Sequence, residues 1–138
     1  MKICVVNGVN LNMLGKREPE IYGSETLESI NAEIQKYCEK RGVTVEFFQS
    51  NIEGEICEFL QNTNADGVVL NAGAYTHYSI AIRDAITASQ KRVVEVHISN
   101  LFEREEFRQK SVISPVCCGT VCGFGKKGYI LAIESFLL

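Results

Sequence analysis

Residues 26–48 read TLESINAEIQKYCEKRGVTVEFF. Leu27, Ile30, Ile34 and the Tyr37–Cys38 pair recur at the spacing of one helix face, so 26–42 is expected to be helical. Ser24 or Thr26 can cap its start, and Gly42 suits the position just past its end. The following VTVEFF (43–48) is rich in β-branched and aromatic residues and reads as a strand. ICVV (3–6), also short and apolar, supplies a strand before the helix.

The same beat continues along the chain. Ile52, Ile56, Phe59 and Leu60 mark a second helix, and GVVL (67–70) a third strand. HYSIAIRDAITASQ (77–90) is expected to be helical, with Ile82, Ala85 and Ile86 on one face. RVVEVHI (92–98) reads as a strand, EREEFRQ (103–109) as a short helical turn, VCCGTVCG (116–123) as a fifth strand and KGYILAIESFL (127–137) as a last helix. Strands alternating with helices at this spacing predict an α/β fold with a parallel sheet covered on both faces. Five strands suit the flavodoxin-like, doubly wound order.

Bulk properties agree. The chain has 138 residues, enough for one domain, read as 1–138. A net charge of −3 argues against a general nucleic-acid or anionic-membrane surface. No stretch approaches the ~18 apolar residues of a membrane span. MKICVVNG lacks the long apolar run of a signal peptide, so a cytoplasmic protein is expected. The six cysteines form no C-x-x-C and read as buried reduced thiols.

Polar residues crowd the carboxyl ends of the strands: Asn7-Gly8, Gln49-Ser50-Asn51, Asn71-Ala72-Gly73 and His97-Ile98-Ser99-Asn100. Open α/β sheets bind ligands at that edge. GFGKKG (123–128) matches the dinucleotide-binding string, but it lies at the wrong end of the chain and reads as a tight turn. Gly8 to Lys16 fails as a phosphate loop on spacing, and two separated histidines give no zinc pattern. No metal and no cofactor is expected.

The remaining residues suggest acid–base chemistry. Glu95 and His97 are two apart on a strand and share a face. Either they are a satisfied core pair, or Glu95 orients His97 for proton exchange with a ligand. Tyr22 lies in the loop NGVNLNMLGKREPEIYG (7–23), five residues after Arg17. It is either an exposed loop aromatic or a phenol whose anion Arg17 and Arg108 stabilise. Asn10, Asn12 and Asn71 can donate and accept together, which suits a hydroxylated ligand. Arg108 and the backbone N–H groups of Ile98 and Ser99 suit a carboxylate.

Three blocks then carry a resemblance: 7–23, NAGAYTHYSIAIRDA (71–85) and the long stretch 95–133. The chain resembles the type II 3-dehydroquinate dehydratases, small flavodoxin-like enzymes of the shikimate pathway. The resemblance implies a cofactor-independent anti elimination of water from 3-dehydroquinate, giving 3-dehydroshikimate through an enolate. It implies that Tyr22 is the base and that Arg17, on a lid, keeps Tyr22 anionic. A water near Asn10 would stabilise the enolate. His97, oriented by Glu95, would protonate the leaving hydroxyl. Asn71, His77 and Arg108 would hold hydroxyls, and Ile98 and Ser99 the carboxylate. It also implies trimers packed into dodecamers, with Asp84 reaching a neighbour's site. The pattern departs at Val9 and Ala72, where the family usually has proline, and at Tyr78. The alternative is a non-catalytic flavodoxin-like ligand-binding or signalling module.

Overall fold

Thr26 ends an extended segment, and its hydroxyl accepts from the Ser29 amide at 3.1 Å, so the cap is Thr26 and not Ser24. Helix α1 runs Leu27–Arg41 and stops where Gly42 turns left-handed at φ 70°. The computed structural model describes residues 1–16, 20 and 24–138. The strands are β1 (Lys2–Asn7), β2 (Thr44–Gln49), β3 (Gly67–Asn71), β4 (Arg92–His97) and β5 (Gly119–Cys122). The remaining helices are α2 (Glu53–Asn62), α3 (Ile80–Ser89) and α4 (Lys127–Leu137).

All pairings are parallel, and the order is β2-β1-β3-β4-β5. The fold is flavodoxin-like, as the sequence predicts. The chain winds one way from β1 to β2 and the other way from β3 to β5. The switch therefore lies between the carboxyl ends of β1 and β3, where Asn7 pairs with Asn71.

Strand alternation divides the core into two layers. Ile3, Val5, Val69, Val94 and Val96 face α1 and α4, packing on Ile30, Ile34, Tyr129 and Ile133. Cys4, Val6, Val68, Leu70 and Val93 belong to the other layer, with Ile56 and Leu60 of α2 and Ile82 and Ile86 of α3. Burial on both faces explains why the central strands read as continuous apolar runs.

Local boundaries differ from expectation where a capping residue or proline intervenes. His77, expected to open the third helix, instead ends a 3-10 turn, Gly73–His77. Helix α3 begins only at Ile80, because the Ser79 hydroxyl caps it by accepting from the Ile82 amide at 3.0 Å. The expected strand 116–123 shrinks to Gly119–Cys122, after a 3-10 turn Ser114–Val116 that carries Pro115 near its start. The helical turn expected at 103–109 is two short 3-10 pieces, Leu101–Glu103 and Glu106–Arg108, separated by an extended Arg104. GFGKKG is a tight turn, with Gly123 and Gly125 at φ 91° and 60°. Only Cys4 and Cys38 are fully buried; Cys118 is exposed, which corrects the expectation of uniformly buried thiols. No helix among the described residues is long and apolar enough to cross a membrane.

Candidate active site

The loop after β1 approaches the loop after β3 because Gly8 has no side chain. The Gly8 amide donates to the Asn71 carbonyl at 2.7 Å, and a Cβ on Gly8 would meet the Ala72 carbonyl oxygen at 2.3 Å. Beyond Gly8 the chain turns through Asn10, at φ 69°, whose amide donates to Asn51 Oδ1 at 2.9 Å. Asparagine tolerates the left-handed region better than most residues. Leu11 and Leu14 then bury and anchor the loop.

A cavity opens at this switch point. Its walls include Asn10, Asn71, His77, His97, Ile98, Ser99 and Arg108. These are seven of the candidates drawn from the sequence, gathered from the last residues of β3 and β4 and the loops after β1, β3 and β4. Glu95 stands directly behind His97.

Glu95 is fully buried on a central strand, where an unpaired carboxylate would be very unfavourable. It is met by donors at both oxygens instead. His97 Nε2 donates to Oε2, and the hydroxyls of Ser111 and Ser114 donate to Oε1, with Thr120 Oγ1 at 3.4 Å. Burial pushes the Glu95 carboxyl up, but the His97 hydrogen bond and charge, then Ser114 and Ser111, outweigh it. The net value lies below the ordinary carboxylate range. With Nε2 committed to Glu95, Nδ1 is the His97 nitrogen left for a ligand.

His77 is fixed differently. Its Nδ1 lies 2.7 Å from the Lys110 carbonyl, which can only accept, so Nδ1 carries the proton. Burial, opposed by that hydrogen bond and aided by the charges of His97 and Arg108, lowers its proton affinity below the usual histidine value. The neutral ring therefore offers Nε2 as an acceptor for a ligand hydroxyl.

Asn71 is buried, with Oδ1 accepting from the Gly73 amide at 3.1 Å. Arg108 lines the cavity while its Nε lies 3.2 Å from Glu105 Oε2. Arg104 was not singled out from sequence, yet it also lines the cavity, and its Nη1 donates to Ser99 Oγ at 3.2 Å. The signal for it was its spacing four residues before Arg108, which would place both on one side of a helical turn. Ser111, Ser114 and Thr120 were also missed. Isolated hydroxyls carry no spacing rule that points to a buried carboxylate.

Other candidates stand elsewhere. Asn12 is exposed and does not line the cavity. Tyr78 is likewise exposed, set edge-on to Tyr75, and does not intrude on the site. Asp84 lies on the exposed face of α3 and does not reach this chain's own cavity. Arg17 and Tyr22 lie outside the described residues.

Comparison with known proteins gives a consistent picture. The family model described as dehydroquinase class II matches residues 1–137. A 3-dehydroquinate dehydratase from a Nitratiruptor species is 55% identical over 98% of this chain and 88% of its own length. The crystal structure of a type II dehydroquinase from Butyrivibrio crossotus superposes with a TM-score of 0.97 at 51% identity, covering 100% of this chain and 98% of that one. A type II dehydroquinase from Propionibacterium acnes gives 0.94 at 42% identity, covering 98% and 94%. With a whole-length family match and relatives sharing half its residues, the chain belongs to the class II dehydroquinase family.

Proposed function

We propose that this chain, acting as a single catalytic domain, is a 3-dehydroquinate dehydratase that removes water from 3-dehydroquinate to give 3-dehydroshikimate, in the shikimate pathway. The observation that carries the reading is the cavity itself. It joins an oriented imidazole, His97 on Glu95, to neutral hydrogen-bonding groups, Asn71 and His77, and to the cation Arg108. A polyhydroxylated acid needs that combination. Its hydroxyls bind amide and imidazole groups, and its carboxylate binds a cation or backbone N–H groups at Ile98 and Ser99.

In this reading Tyr22, kept anionic by Arg17, takes the proton beside the ketone. The negative charge develops on the ketone oxygen, and a water held near Asn10 stabilises it. His97 gives its Nδ1 proton to the departing hydroxyl, and the Glu95 carboxylate stabilises the imidazolium beforehand. The step needs proton transfer and charge stabilisation, without a covalent intermediate. These roles come to this chain from its resemblance to the family and from the positions of the described side chains.

Assembly and location belong to the same proposal. Asp84 is exposed on α3 and is therefore open to a neighbouring subunit. The resemblance to the family carries the rest: a homo-oligomer, a dodecamer built as four trimers, in which Asp84 completes a neighbour's site. Light scattering reads the assembly directly. Buried thiols at Cys4 and Cys38 suit a reducing cytoplasm.

The test is spectroscopic. Purified protein mixed with 3-dehydroquinate, without added metal or cofactor, is expected to produce the absorbance of a conjugated enone. Binding of the substrate without that absorbance would leave a ligand-binding module in place of an enzyme.

A further inference from the structure

Asn7 and Asn71 are paired across the β1–β3 switch, and strand alternation turns both toward α4. The residue that α4 sends to meet them is Tyr129, whose ring is fully buried among Val5, Val69 and Val96. Its hydroxyl lies 2.6 Å from Asn7 Oδ1 and 3.0 Å from Asn71 Nδ2. The direction of both hydrogen bonds follows from the atoms. Asn7 Oδ1 can only accept, so the phenol donates to it. Asn71 Nδ2 can only donate, so the phenol oxygen accepts from it. Burial also pushes the phenol well above its ordinary pKa, so the proton stays in place.

These bonds fix which way the Asn71 amide faces. Its Oδ1 accepts from the Gly73 amide, and one Nδ2 hydrogen is donated to Tyr129. The second Nδ2 hydrogen is left for a ligand, and Asn71 lines the cavity. A flipped amide would set Nδ2 against the Gly73 N–H and Oδ1 against a phenol oxygen whose hydrogen is already committed to Asn7. Two donors or two acceptors would then face each other in a buried site.

We propose that Tyr129 is a positioning residue for substrate recognition: from the far layer of the fold it locks the Asn71 amide in one orientation, so that its remaining N–H is presented to a substrate oxygen. The inference rests on the reading of Asn71 as a substrate-binding residue. It explains how a helix that contributes nothing to the cavity wall influences which ligand group the wall accepts.

The test is a double-mutant cycle on kcat and KM for 3-dehydroquinate, using Asn71→Ala, Tyr129→Phe and both together, with thermal melting of each. Tyr129→Phe keeps the ring and removes the lock. It is expected to raise KM about fivefold to tenfold, with a smaller fall in kcat. Added to Asn71→Ala, it should raise KM little further, because the residue it acts through is gone. A purely structural role would lower the melting temperature and leave KM within twofold of wild type, and that result overturns the proposal. So does a double variant whose KM rise is the product of the two single rises. If Tyr129→Phe does not fold, Asn7→Ala frees the phenol hydrogen and is read by the same criteria. An unchanged KM in Asn71→Ala refutes the role of Asn71 and the inference with it. A wild-type protein without turnover instead refutes the dehydratase reading.

Discussion

Glu95 accepts a hydrogen bond from His97 two residues further along the same strand, with both side chains buried at the end of β4. The other Glu95 oxygen rests among the hydroxyls of Ser111, Ser114 and Thr120. A carboxylate with this many donors holds its charge in a buried site. The serines therefore matter to the site without touching the cavity. Their removal leaves Glu95 less stabilised as an anion and raises its pKa. A carboxyl depressed on folding contributes stability above its unfolded value, near 4.5, that is lost as pH falls through the lower folded value. Ser111→Ala/Ser114→Ala should lose stability at neutral pH, by about 1–3 kcal/mol per missing donor. Its acid-side loss should also begin at a higher pH than in wild type. Denaturant titrations between pH 3 and 7 check this, and superimposable pH dependence would count against it.

A second carboxyl binds α1 to α4 at the surface. Glu134 takes both Arg41 Nε at 2.6 Å and a terminal nitrogen at 3.0 Å, and it accepts from the Tyr37 hydroxyl. The Arg41 hydrogen bonds, then Tyr37, hold its carboxyl at about 2. The sign is the same: the contribution is full above about 4.5 and disappears as pH falls toward about 2. Glu134→Gln should flatten the stability profile within that window and leave turnover at neutral pH unchanged. A variant that tracks wild type from pH 5 down to 2 would show that solvent screens the cluster entirely.

Gly8→Ala should damage the site through the backbone. Its Cβ would have to push the Ala72 carbonyl, 2.3 Å away, and with it the joint between the β1 and β3 loops. The expected loss is about 1–3 kcal/mol of stability, with a raised KM because Asn10 and Asn71 move apart. Equilibrium unfolding and steady-state kinetics test the two effects separately.

Borohydride added with 3-dehydroquinate should leave the protein active. The mechanism has no imine to trap, since the chemistry is assigned to a phenol and an imidazole. A substrate-dependent loss of activity, with a reduced lysine adduct visible by mass spectrometry, would contradict it.

Most of the fold is legible in the sequence because its two periodicities are clean. The spacing of Leu27, Ile30 and Ile34 and the unbroken runs in β1 and β3 leave little choice of layer. The α3 start is less legible because Ser79 wins the cap over earlier residues, and a 3-10 turn has no distinctive pattern. In the site, Glu95 and His97 show through their spacing. Ser111, Ser114 and Tyr129 do not, because their partners are 16, 19 and 58 residues away in the chain. Such contacts exist only once the sheet order is set. Arg104 was eclipsed by Arg108, although an extended break between the two 3-10 turns lets both arginines line the cavity.

The central claim is that the imidazole held by Glu95 delivers the proton on which the leaving hydroxyl departs. It is tested most directly by the rate of enone formation from 3-dehydroquinate with His97→Ala beside wild type, at saturating substrate. The account predicts that kcat falls about a hundredfold to ten-thousandfold while the protein still folds and binds 3-dehydroshikimate. A kcat within a few-fold of wild type would contradict it.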